Sequence, residues 1–194
     1  MPEKVPQKKD APLRSDAQRN RERILEVALV ELTRAADAPL SAIAKKAGVG
    51  QGTFYRHFPS REALVMEIYR HEMQQVAETA APLLESREPD QALREWMDRC
   101  ARFAMTKAGL ADALRQATSA CGPKPAHTPL TEAAELLLRA NEKAGTIRPG
   151  ITADDLFLSI GGLWTIDPHT DWQPRANRLL DLVMDALRVG APGR

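Results

Sequence analysis

At 194 residues and 43% apolar side chains, the chain is long enough for a small domain joined to a moderate one, each with its own core. Its formal charge of +1 hides an asymmetry: residues 1–61 carry 12 Lys and Arg against 7 Asp and Glu, or +5, and the remainder 15 against 19, or −4. A basic first third is what attraction to phosphate requires, whereas 5% aromatic residues argues against a stacking platform for single strands, and no apolar run is long enough to span a bilayer.

The opening residues lack the apolar centre of a signal peptide, and Cys100 and Cys121 have no metal-ligand spacing, so a reduced, cytoplasmic setting is expected. Residues 1–15, rich in Pro, Lys and Asp, are expected to form a flexible basic arm whose Lys4, Lys8, Lys9 and Arg14 follow a phosphate backbone or remain solvated. A first helix is expected from about Asp16 to Ala35 on the stripe Ile24, Leu25, Ala28, Leu29 and Leu32. Arg19, Arg21 and Arg23 crowd its start, where positive charge opposes the helix macrodipole and a phosphate nearby removes the cost.

Leu40, Ile43, Ala44 and Ala47 then recur at helical spacing, and Gly48 stops that helix because positive φ suits glycine and resists a side chain. Gln51 to His57 forms a second short helix with Phe54 inward and hydrogen-bonding groups outward. Ala44 lets the two helices approach closely, so the second can lie in a major groove: a helix-turn-helix over about residues 39–58. Pro59 breaks the chain, and Ser60 offers an N-cap to a third helix that begins at Arg61. That helix carries Leu64, Val65, Ile68 and Val76 and reaches Pro82 or a little beyond, a strut between two domains.

After a break at Ser86 to Asp90, an amphipathic helix over Gln91 to Lys107 presents Leu93, Trp96, Met97, Cys100, Phe103 and Ala104, and Gly109 separates it from a segment Leu110 to Ser119. A Pro-rich loop, CGPKPAHTP, leads into a helix that starts at Thr128 and Pro129 and ends at Gly145. Thr152 and Asp155 read as a capping pair for a helix with Leu156, Ile160, Leu163 and Trp164. Pro174 opens a last one with Leu179, Leu180, Val183, Met184 and Leu187. With no strand-like alternation, the expected architecture is all-α with about nine helices.

The run from Ile43 to Leu64, IAKKAGVGQGTFYRHFPSREAL, resembles the DNA-binding signature of the TetR family of bacterial transcriptional regulators, and the likeness extends over roughly Arg19 to Tyr69. The resemblance implies a homodimer of all-α subunits, with a DNA-reading domain over residues 16–69. It also implies an effector-binding and dimerisation domain over 70–190, and the broad apolar faces of the last two helices are expected to pair with those of the second copy. The implied partners are double-stranded operator DNA, a second copy of the chain and a small-molecule effector, with no cofactor and no membrane.

Gln51, Gly52 and Thr53 stand where the start of a recognition helix meets base edges and phosphates, and Gln51 is the expected base reader. Tyr55 and His57 resemble family positions whose rings hydrogen-bond phosphate. Arg61 and Ser41 are expected to make positioning contacts, so that Arg61→Ala weakens all sites evenly and flattens the salt dependence. For an effector cavity, the large apolar side chains of the second domain are the candidates: Met73, Trp96, Cys100, Phe103, Met105, Phe157 and Trp164. A ligand-released repressor is the leading expectation. A constitutive architectural or interaction protein without effector is the alternative, and no catalytic grouping can be assembled from a recognisable motif.

Overall fold

The computed structural model describes residues 11–106, 110, 128–167 and 169–193, and every regular element among them is helical. In chain order these are α1 (Ala11–Arg34), α2 (Leu40–Lys46), α3 (Gln51–His57), α4 (Arg61–Glu78), α5 (Ala80–Ser86), α6 (Pro89–Thr106), α7 (Thr128–Ala144), α8 (Ala153–Ile160), a 3-10 turn (Gly161–Thr165) and α9 (Trp172–Arg188). The all-α expectation holds. Residues 1–10 of the expected arm lie outside the described residues. So do the Pro-rich loop before Thr128, Cys121, and the segment after Leu110.

Several boundaries differ from expectation for identifiable reasons. α1 begins at Ala11 instead of Asp16, taking residues 11–15 out of the arm, since Pro12 is well tolerated in a first helical turn. Arg19, Arg21 and Arg23 therefore sit well inside the helix, where the macrodipole argument fails, and Arg21 pairs with Glu67 of α4. α6 and α9 likewise begin a little early, at Pro89 and Trp172. The helix expected to run through Trp164 tightens into the 3-10 turn at Gly161 and Gly162, two residues of low helix propensity.

Two cores result. The first gathers Ile24, Leu25, Ala28 and Leu32 of α1, Ile43 and Ala44 of α2, Phe54, Phe58, and Leu64, Val65 and Ile68 of α4. The second holds Met73 and Ala77 of α4 together with Leu83, Leu93, Trp96, Met97, Leu137, Leu156, Leu180 and Met184. One helix thus serves both: the N-terminal half of α4 belongs to the first core and its C-terminal half to the second. Leu110 crosses the division too, because it follows α6 in the chain yet is buried in the first core.

Local chemistry pins the second domain. Thr152 and Asp155 form a reciprocal capping box at α8, and the bonds that Asp155 accepts from the Thr152 hydroxyl, then from its backbone, hold the carboxyl below its usual range. Asn141, fully buried in α7, donates to the carbonyls of Pro89 and Leu137 at 2.8 Å each and accepts from the Thr146 hydroxyl at 2.7 Å. A buried amide with its partners in place ties the end of α7 to the start of α6.

Candidate nucleic-acid interface

The turn between α2 and α3 is set by Gly48 at φ +66°. The Gly48 N–H donates to the Lys45 carbonyl and the Val49 N–H to the Ala44 carbonyl, both at 3.1 Å, which satisfies the carbonyl end of α2 and turns Val49 onto the core. Gly50 then opens α3, its carbonyl accepting from the N–H groups of Thr53 at 3.0 Å and Phe54 at 2.9 Å. Phe54 and Phe58 fill the inside with ring centroids 5.8 Å apart. A seven-residue helix with that face buried must present the rest: Gln51, Gly52, Tyr55, Arg56 and His57 are exposed and Thr53 is half-buried.

These side chains are held outward without being used inward. Tyr55 stands edge-on to Phe54 at 5.6 Å and His57 leans on Phe58 at 6.1 Å, so ring contacts orient each while its polar end stays exposed. Ser41 is exposed in the first turn of α2. Among the described residues, Ser41, Gln51, Thr53, Tyr55 and His57 make no side-chain hydrogen bond within the chain. Arg56 differs, its Nε donating back to the Gly52 carbonyl at 3.1 Å. A Cβ at Gly52 would meet nothing within 4 Å. Its lack of a side chain therefore answers no internal packing need, although glycine within a helix costs about 0.5–1 kcal/mol relative to alanine.

Arg61, expected to make a positioning contact to phosphate, reaches back across the domain in the free protein: Nη1 donates to the Ala36 carbonyl at 2.8 Å, and Nη2 to those of Asp37 at 3.3 Å and Ala38 at 2.6 Å. Those are the carbonyls of the α1–α2 turn, just past the negative end of α1, where a guanidinium is favourable. Ser60 beside it caps α4 by accepting from the Ala63 N–H at 3.1 Å. The strut's first residues are thereby fastened to the turn that enters the helix-turn-helix. Lys46, exposed on α2, pairs with Glu31 at 2.5 Å.

In the second domain Met73, Trp96, Cys100 and Met105 are buried together, with Phe103 and Phe157 half-buried against them. Trp164 does not join this group: it is 55% exposed, carried outward by the 3-10 turn. Burial pushes the Cys100 thiol up to about 12, so it stays protonated and acts as an apolar filler. An open cleft of about 410 Å³ lies over the α4–α5 junction, lined by Gln75, Glu78, Thr79, Pro82, Leu83, Ser86 and Arg99, and no residue expected to line a pocket lines it. Among the described residues no cluster of His, Cys, Asp or Glu could hold a metal ion, and no helix is long and apolar enough to cross a membrane.

Sequence reasoning missed the inward role of Arg61 and the first-core position of Leu110. It also gave no sign that the indole Nε1 of Trp96 bonds the Val76 carbonyl at 3.1 Å. Each is a contact between residues at least 20 positions apart, for which no local pattern exists.

Comparison with known proteins agrees with this geometry. Residues 24–68 match the family model for bacterial regulatory proteins of the tetR family, and residues 88–189 match the C-terminal domain of SbtR-like transcriptional regulators. A TetR transcriptional regulator from Streptomyces coelicolor is 38% identical with a TM-score of 0.72, the match covering 87% of this chain and 98% of that one. A TetR regulatory protein from Mycobacterium vanbaalenii is 32% identical with a TM-score of 0.68, over 91% and 99% of the two chains. Comparison with curated proteins gives no match. With the outward-facing helix-turn-helix, the second helical domain and these likenesses together, the chain belongs to the TetR family of bacterial transcriptional regulators.

Proposed function

We propose that the protein is a ligand-responsive repressor that holds a palindromic operator as a homodimer and releases it when a small molecule enters the second domain. The observation that carries this reading is the outward face of α2 and α3, where Ser41, Gln51, Thr53, Tyr55 and His57 are oriented by a tight core and lack internal partners. Gln51 reads a base edge, Thr53 and the open backbone at Gly52 admit close approach, and Ser41, Tyr55 and His57 meet phosphates. Two copies place their α3 helices in successive major grooves, about 34–36 Å apart.

The pairing surface is the end of the chain. α9 carries an inner stripe, Ala176, Leu180, Met184 and Leu187, buried in its own domain. Its other side shows Leu182, 67% exposed, and Ala186, and Val189, just past its end, is 65% exposed. Leu158 and Trp164 add 81% and 55% exposed apolar side chains from α8 and the adjoining turn. An apolar patch of this kind on a folded domain is characteristic of an interface, and pairing α8 and α9 with their copies makes a four-helix seam. Met73, Trp96, Cys100, Phe103, Met105 and Phe157 form the apolar region where an effector would enter.

Three measurements test the reading. Sedimentation should give twice the chain mass, and selection from genomic fragments should return a palindrome. A compound screen against the bound complex should then find a molecule that releases it. Gln51→Ala should relax preference at about one or two base pairs, at about 1–3 kcal/mol each, and leave the rest of the selected sequence intact. A stable monomer, or indifference to every duplex at low ionic strength, would overturn the proposal. Binding that no compound disturbs would favour a constitutive architectural protein.

A further inference from the structure

The strut between the domains is not one helix. α4 stops at Glu78 and α5 starts at Ala80, and the cause lies downstream. Pro82 has no N–H for the carbonyl of Glu78, four residues earlier, and its ring intrudes on that carbonyl's place. The end of α4 is therefore closed differently: the Thr79 N–H donates to the Val76 carbonyl at 3.2 Å and the Thr79 hydroxyl to the same oxygen at 2.7 Å. A third donor arrives from another helix. The indole Nε1 of Trp96, on α6, reaches that oxygen at 3.1 Å.

Trp96 is fully buried, with its ring 6.4 Å from that of Phe157 on α8. It packs among the apolar groups of the second core while holding the backbone of the strut at its break. Thr79 binds the oxygen from within the strut and so cannot fix its direction relative to the domain beneath. An indole anchored in α6 can.

We propose that Trp96 is the positioning residue that sets the angle between α4 and the second domain, its N–H fastening the Val76 carbonyl at the α4–α5 break. This rests on the regulatory reading above, in which the direction of α4 decides where α3 meets DNA. It adds that a molecule shifting the Trp96 ring alters that direction by loosening one hydrogen bond.

The test removes the N–H and keeps the shape, by placing β-(3-benzothienyl)alanine, the sulfur isostere of tryptophan, at position 96 of the full-length chain, with Trp96→Phe as a second variant. Amide exchange and affinity for a selected duplex are compared with wild type. Loss of one such bond should speed exchange across residues 77–83 by about five- to tenfold, with α6 and α7 unaffected. Duplex affinity should fall by about three- to tenfold, with an unchanged salt dependence because no phosphate contact is touched. Unchanged exchange and affinity in both variants would overturn the assignment while leaving the regulatory reading intact. A wild-type protein that binds no duplex would instead sink the regulatory reading, and the exchange data would still decide whether Trp96 holds the break.

Discussion

Leu110→Ala is expected to lower the unfolding free energy by about 2–5 kcal/mol, the cost of removing a buried leucine side chain and leaving a cavity. Its target is unusual. Leu110 belongs to the chain after α6, yet it is 2% exposed within the core that Ile24, Leu25, Leu64 and Ile68 build beneath the helix-turn-helix. The damage should therefore appear first in the DNA-reading domain, as faster amide exchange in α1 and the N-terminal half of α4, and in weakened duplex binding. Domains of this size are stable by only about 5–15 kcal/mol, so the change should move the denaturant midpoint far while the slope of the transition stays constant. Leu110→Met, which keeps volume, should cost less than about 1.5 kcal/mol. An alanine variant as stable as wild type, or one that loosens only the second domain, would show that the side chain does not bridge the two.

Arg61 offers the second large effect, one on folding stability that comes from its contacts within the chain. A guanidinium that forks over the carbonyls of Ala36, Asp37 and Ala38 holds the α1–α2 turn to the start of α4, and losing it leaves those acceptors without that donor. Arg61→Ala should lower stability by about 1–3 kcal/mol, discounted toward the lower end because the side chain is partly exposed. Arg61→Lys should recover less than half, since an ammonium keeps the charge but lacks the planar fork. Thermal melts of the three proteins decide this. The salt dependence of duplex binding gives an independent reading: a phosphate contact contributes about 0.9 to the slope of log K against log salt, so a clamp leaves the slope unchanged in both variants. A slope reduced in Arg61→Ala and restored in Arg61→Lys, with no change in melting, would return the residue to phosphate binding.

How far the sequence carried these conclusions depends on the range of the signals. α3 occupies the expected Gln51–His57, Gly48 takes the positive φ that ends α2, and Thr152 and Asp155 form their expected capping pair. All three rest on chemistry within a few residues. Trp164 shows where that reach stops: its helical spacing with Leu156, Ile160 and Leu163 suggested the core, but the glycine pair before it changes the helix type and carries it outward. Pro82 shows a local signal acting at a distance, because the helix fails four residues before the proline itself. Arg61, Leu110 and the Trp96 bond lie beyond any pattern, because partners 20 or more residues away are chosen by how the helices pack. The outward face of α3 could be read in advance because an inward Phe54 dictates it.

If Trp96 sets the direction of α4 as proposed, the break at Thr79 makes α4 a lever arm. Its 18 residues extend about 27 Å, so a swing of about 5° at the break sweeps the Arg61 end through about 2 Å. Donor and acceptor in an N–H···O hydrogen bond stand within a range of only about 2.7–3.2 Å. A displacement hardly measurable where the arm is mounted is thus enough, at its far end, to part a side chain from a base.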